Sequence, residues 1–189
     1  MPTLSDRLRA AWEGLQAALR RTTGGSRGRR TYADLRSMAL GLDPSTIRRP
    51  DGERWAGAAV AAMELGLTGS GATVTIVAIA DGTVSMYTSP GGGVIGAGEH
   101  AAVRGAGDRF REVVADSQGL LTRTQTFPLP SEGEVRFHAR VGDDRLTAAA
   151  TEAELRTGRH LLSSLYDAGQ DLITEIRLVD EPEEVDARA

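Results

Sequence analysis

An α+β domain on a mostly antiparallel sheet with flanking helices is what this 189-residue sequence predicts. Three observations predict it. Residues 72–88 and 134–150 carry strand-type segments, Asp81-Gly82 reverses the first pair tightly, and 3.6-residue spacing recurs before, between and after them. The length suits one domain, and a hydrophobic content of 40% suffices for its core. Aromatics are only 4%, so that core is built from Ala, Val, Leu and Ile. Such a chain offers few of the stacking platforms that single-stranded nucleic acid requires.

In chain order, residues 3–21 have helical spacing, with Leu4, Leu8, Trp12, Leu15 and Leu19 on one stripe and arginines on the other faces. The basic stretch TTGGSRGRR, residues 22–30, has linker composition. Residues 1–30 are therefore expected to form a separate docking helix and linker, residues 31–179 one domain, and residues 180–189 an acidic, disordered tail. Thr31 and Asp34 suggest a cap for a short helix near 32–40, which Gly41 closes. A helix over 53–66 is expected to bury Trp55, Ala59, Ala62 and Met63.

The period then drops to two. ATVTIVAIA, residues 72–80, has the composition of a central strand, and residues 83–88 return from Asp81-Gly82 as its partner. A helix over 99–118 turns Val103, Phe110, Val113 and Val114 inward. In the strand 134–141, Val135, Phe137, Ala139 and Val141 share one side, which places His138 on the other, expected to be solvated. Asp143-Asp144 makes a turn into the strand 145–150, a short helical turn spans 151–156, and a last helix spans 161–178. His160 stands at its start, and Gly169 weakens its middle enough for a break.

This α-β-β-α-β-β-α order over about residues 53–178 resembles the roadblock and longin-like group within the profilin-like architecture; PAS-like and GAF-like sheets have a similar order. The roadblock resemblance implies a scaffold that dimerises or docks onto other proteins, without catalysis of its own.

Composition removes several chemistries. Cysteine is absent, and with it disulfides, thiolate zinc sites and cysteine nucleophiles. All 22 basic residues are arginine, so Schiff-base chemistry and the lysine of a P-loop are excluded. His100, His138 and His160 lie too far apart for helical metal-ligand pairs, and neither metal nor cofactor is expected. No apolar run is long enough to cross a bilayer and no secretory leader is visible, so a cytoplasmic location is expected, with at most surface contact of residues 3–21 with a membrane. Residues 1–50 carry ten Arg and four acids, a balance of +6, while the remainder carries 12 Arg and 22 acids, a balance of −10. The basic head can compensate the acidic body or meet an acidic partner.

One segment has the composition of a binding loop. TSPGGGVIGAGEH, residues 88–100, sets Gly91, Gly92, Gly93, Gly96 and Gly98 before a helix, where free backbone N–H groups favour anions. The spacing GxGxxG occurs once, from Gly91 to Gly96. It follows a tight hairpin rather than a parallel crossover, no acidic residue ends a second parallel strand, and Glu99 would repel phosphate. The alternative is architectural: the glycines let the strand curl and the helix pack closely. Glu99 and His100 are the only adjacent carboxylate and imidazole, although neighbours on a helix point about 100° apart.

The expectation that follows is a non-enzymatic protein-interaction or regulatory domain, self-associating as a homodimer or bound to a protein partner. The alternatives are a small-anion or nucleotide sensor using Gly91, Gly92, Gly93, Gly96, Gly98 and Arg104, and an enzyme using Glu99 and His100.

Overall fold

The computed structural model describes residues 26–47 and 57–180. Its elements are α1 (Ser26–Leu40), β1 (Ala58–Gly66), β2 (Thr73–Ile79), β3 (Val84–Thr88), β4 (Gly93–Ile95), α2 (Ala101–Asp116), β5 (Thr122–Arg123), β6 (Glu134–Val141), β7 (Asp144–Thr151), α3 (Glu152–Leu155) and α4 (Ser163–Asp180). The seven strands form one antiparallel sheet in the order β4-β3-β2-β1-β6-β7-β5. The mixed class with an antiparallel sheet is thus as the sequence predicts, and the helix and strand order agrees in outline.

The largest departure is β1. Residues 58–66 form the central strand of the sheet, where a helix over 53–66 was expected; residues 53–56, Trp55 among them, lie outside the described residues. All nine residues of β1 are buried, so the strand shows no alternation between apolar and polar faces. AAVAAMELG therefore satisfies a helical stripe by composition, and tertiary context overrides the helix propensity of alanine. Within the described residues Ser26–Leu40 are helical, so the end of the expected linker, residues 26–30, is part of α1. The helix bearing Leu4, Leu8, Trp12, Leu15 and Leu19 falls outside the described residues, as does the tail beyond Asp180. Strands β4 and β5 were not foreseen, being only three and two residues long.

Helices α2 and α4 pack together on one face of the sheet, over a core that includes Met63, Ile76, Phe110, Phe137, Leu165, Leu172 and Ile176. Buried Arg111 ties α2 to the sheet, its Nε donating to the Ala58 carbonyl at 3.0 Å. No break occurs at Gly169: α4 runs continuously, and a Cβ there would overlap the Met63 thioether. The opposite face is closed by α1, which buries Tyr32, Leu35, Ala39 and Leu40 against Val60, Ala62, Val77, Ile79 and Tyr87.

Because both faces are covered, the outward side of β6 is not solvent. His138, expected to be solvated, is fully buried at 0% exposure. Among the described residues no helix is long and apolar enough to cross a membrane.

Candidate functional site

Three regions contain the residues with chemical potential. The first is the glycine-rich turn. Strands β2 and β3 pair antiparallel, and Asp81 Oδ1 accepts the Thr83 N–H at 2.9 Å to close the reversal between them. The chain then folds back as β4, with Met86 opposite Val94. A Cβ at Gly93 would overlap the Met86 carbonyl oxygen, and one at Gly98 the Gly82 carbonyl oxygen. Gly96 lies at φ 77°, in the left-handed region that glycine enters without strain. Gly91 and Gly92 also have positive φ, and a Cβ on Gly92 would meet nothing within 4 Å.

Arg104 turns inward on this loop. Its Nε donates to the Gly98 carbonyl at 2.8 Å, and Nη2 to the Glu99 carbonyl at 3.3 Å. The shallow recess of about 200 Å³ beside it is bordered by Asp81, Thr83, Glu99 and Arg104 together with glycine backbone. Two carboxylates and an already engaged guanidinium do not form the positive cradle an anion requires. Glu99 and His100 are both exposed, with Glu99 ending a 3-10 turn and His100 preceding α2 without a side-chain cap.

The second region is a buried polar relay between α1 and the sheet. Arg36 Nε and Nη2 each donate to Glu64, over 2.7 Å apiece, in a fork-to-fork pair. His138 Nε2 lies 3.1 Å from Glu64 Oε2; a carboxylate only accepts, so this nitrogen carries the proton. His138 Nδ1 lies 3.0 Å from the Thr147 hydroxyl on β7. Thr75 Oγ1 donates to Glu64 Oε1, and Tyr32 shares a hydrogen bond with Thr75. Arg36 also donates to the Phe127 and Pro128 carbonyls, while the Phe127 ring meets His138 edge-on at 5.1 Å.

Burial pushes the Glu64 carboxyl up, but the hydrogen bonds and charges of His138 and Arg36 outweigh it, and the net direction is down. Burial, then the Glu64 charge, pushes the Tyr32 hydroxyl up to about 12. A hydroxyl, an imidazole and a carboxylate in line have the order of a nucleophilic triad. Here, however, Glu64 is held by Arg36, and the Thr147 hydroxyl also lies 3.0 Å from the Phe137 carbonyl. The relay fastens α1, the 124–130 loop and β7 to one another.

The third region is the outer edge of β7. Strand β5 pairs only with Leu146 and Thr147. The Thr124 N–H donates to the Arg145 carbonyl on that side, so Arg145, Thr147 and Ala149 alternate with their backbone groups facing outward. The Thr147 carbonyl accepts the Thr122 hydroxyl, and the Thr151 N–H is taken by Glu154 in a capping box. Beyond β5 the outward N–H and C=O of Ala149 have no strand partner among the described residues. Beside them opens a recess of about 340 Å³ lined by Leu120, Thr122, Thr147, Ala148, Ala149, His160, Leu161 and Leu162. Leu120 is 42% and Leu161 74% exposed at its rim. His160 does precede the last helix, its Nδ1 accepting the Leu162 N–H at 3.1 Å.

Among the described residues no group of three or more acidic or histidine side chains is placed to hold a metal ion. The chain matches no family model, no curated protein and no solved structure.

Proposed function

We propose that this chain is a non-enzymatic protein-interaction domain, which docks an extended segment of a partner protein along the outer edge of β7. The observation that carries the reading is the outward Ala149 backbone beside the Leu120–Leu161 recess. An unpaired strand edge presents donors and acceptors at strand spacing, which an extended backbone matches, and an adjoining apolar recess accepts one of its side chains. The edge carries none of the usual guards: Ala148–Thr151 contains no charge and no proline. Among the described residues the other two regions are closed by their own contacts, the turn by Arg104 and the relay by Arg36 and Phe127.

Two-fold pairing with a second copy about Ala149 fits this edge poorly. It would lay Thr151 where β5 of the other copy already covers Thr147. A foreign strand of three or four residues fits the slot without that conflict.

Selection from a random-peptide display library tests the proposal. Extended peptides bearing one apolar anchor should emerge, and their affinity should fall about tenfold or more for Leu161→Asp and for Ala149→Pro. Proline at 149 removes an N–H that faces outward, so the internal ladder stays intact. Selected peptides that bind both variants as tightly as the parent would refute the reading. A self-associating body would instead appear as a dimer by light scattering.

A further inference from the structure

On the α1 face, Arg140 of β6 is only 7% exposed, yet among the described residues neither its Nε nor its Nη1 has a hydrogen-bond partner. A guanidinium offers five N–H donors and stays charged, so a buried one without acceptors is costly. Its neighbours sharpen the imbalance. Across β7 it stands directly opposite Arg145, and across β1 opposite the apolar Val60. Like charges facing one another across a ladder repel. Arg145 is exposed and spends Nη1 on the Gln125 carbonyl at 3.2 Å. The charges of Asp43 and Asp143 act on Arg140 favourably, but among the described residues no ion pair joins it.

From this juxtaposition we infer that Arg140 and Arg145 form a binding site for a phosphate group, which the two guanidiniums grip from adjacent strands. Phosphate oxygens match the unused donors of both side chains once the Arg140 guanidinium, whose Nε and Nη1 are closed to solvent in the free chain, turns toward Arg145, and a dianion removes the repulsion between them. The site shares β7 with the proposed docking edge through Arg145 but uses side chains of the α1 face, and it lies apart from the glycine-rich turn. It predicts an unusual pair of effects: the ligand stabilises the chain, and so does removal of the residue that binds it. A buried charge without a partner costs more than an apolar side chain of similar length in the same place.

The test is thermal melting of the chain and of Arg140→Met and Arg145→Gln in chloride buffer, with inorganic phosphate, O-phosphoserine or acetate added at constant ionic strength. Phosphate should raise the parent Tm saturably, by about 2 °C or more. Arg145→Gln should weaken the half-saturating concentration about fivefold or more, at roughly one lost charged contact. Arg140→Met should melt higher than the parent without ligand and should not respond to phosphate. A larger response to phosphoserine than to inorganic phosphate assigns the site to an esterified group, and the reverse assigns it to the free ion. Equal shifts in all three proteins would mean a general salt effect and overturn the inference. So would an Arg140→Met chain that melts lower than the parent or fails to fold, because a carboxylate of the chain itself would then already hold the guanidinium.

Discussion

The glycine-rich turn at residues 91–100 and the outer edge of β7 lie at opposite ends of the same sheet, and they differ in how much of themselves they use up. At the turn, Gly93 and Gly98 are occupied by the close approach of Met86 and Gly82, and the Arg104 guanidinium is spent on backbone carbonyls. At the β7 edge, three consecutive alanines leave a strand half paired, beside a recess rimmed by two exposed leucines. The difference teaches that a loop with the composition of a binding site can be consumed by architecture, while a plain alanine strand is left available. Glycine permits close approach, but which group approaches is decided by the rest of the fold.

The relay links this comparison to stability. Glu64 holds Arg36 and His138, His138 reaches Thr147 on β7, and Arg36 pins the loop that follows β5. Glu64→Gln should therefore have the largest effect, about 3–5 kcal/mol of lost stability by chemical denaturation, because it strands the Arg36 charge. It should also weaken binding at the β7 edge while leaving the turn unchanged. Acid should act through the same group. The folded carboxyl titrates below its ordinary value of 4.5, so its contribution is full above that pH and is lost as pH falls through the lower folded value. Denaturation midpoints measured from pH 6 down to pH 3 should show this loss, and Glu64→Gln should flatten it.

Gly98→Ala comes next. The added methyl meets the Gly82 carbonyl oxygen, backbone that cannot swing aside, at a cost of about 1–3 kcal/mol. Peptide binding at the β7 edge should survive it in whatever fraction remains folded. Arg104→Ala should cost about 1 kcal/mol, the worth of its bonds to the Gly98 and Glu99 carbonyls. Leu161→Asp should change stability least, by about 0.5 kcal/mol or less, since the side chain already faces water. A large loss of stability there would mean the leucine serves the core, and the contrast between turn and edge would weaken.

Much of the fold was legible in the sequence. The strand expected over residues 72–80, the one over 134–141 and the Asp81-Gly82 reversal correspond to β2, β6 and the β2–β3 hairpin. Strand β1 was not legible, because a strand buried on both faces has no alternation and its alanines suit a helix equally. His138 was misplaced for a related reason: its side of β6 is polar in pattern yet covered by α1. Glu64, alone among apolar residues, was the available signal that this covered face held a charge with partners. The β7 edge left almost no trace. Ala148, Ala149 and Ala150 describe any small strand, and Leu120 and Leu161 meet only through tertiary structure. Whether a strand edge is open depends on where its neighbour stops, which local pattern does not encode.

Amide hydrogen exchange at Ala149, followed by NMR with and without a selected peptide, tests the central claim most directly. The free chain should exchange this proton rapidly, and saturation with peptide should slow it at least about tenfold as the edge acquires a strand. Saturable binding that leaves Ala149 unprotected, with protection arising at residues 91–100 instead, would contradict the account.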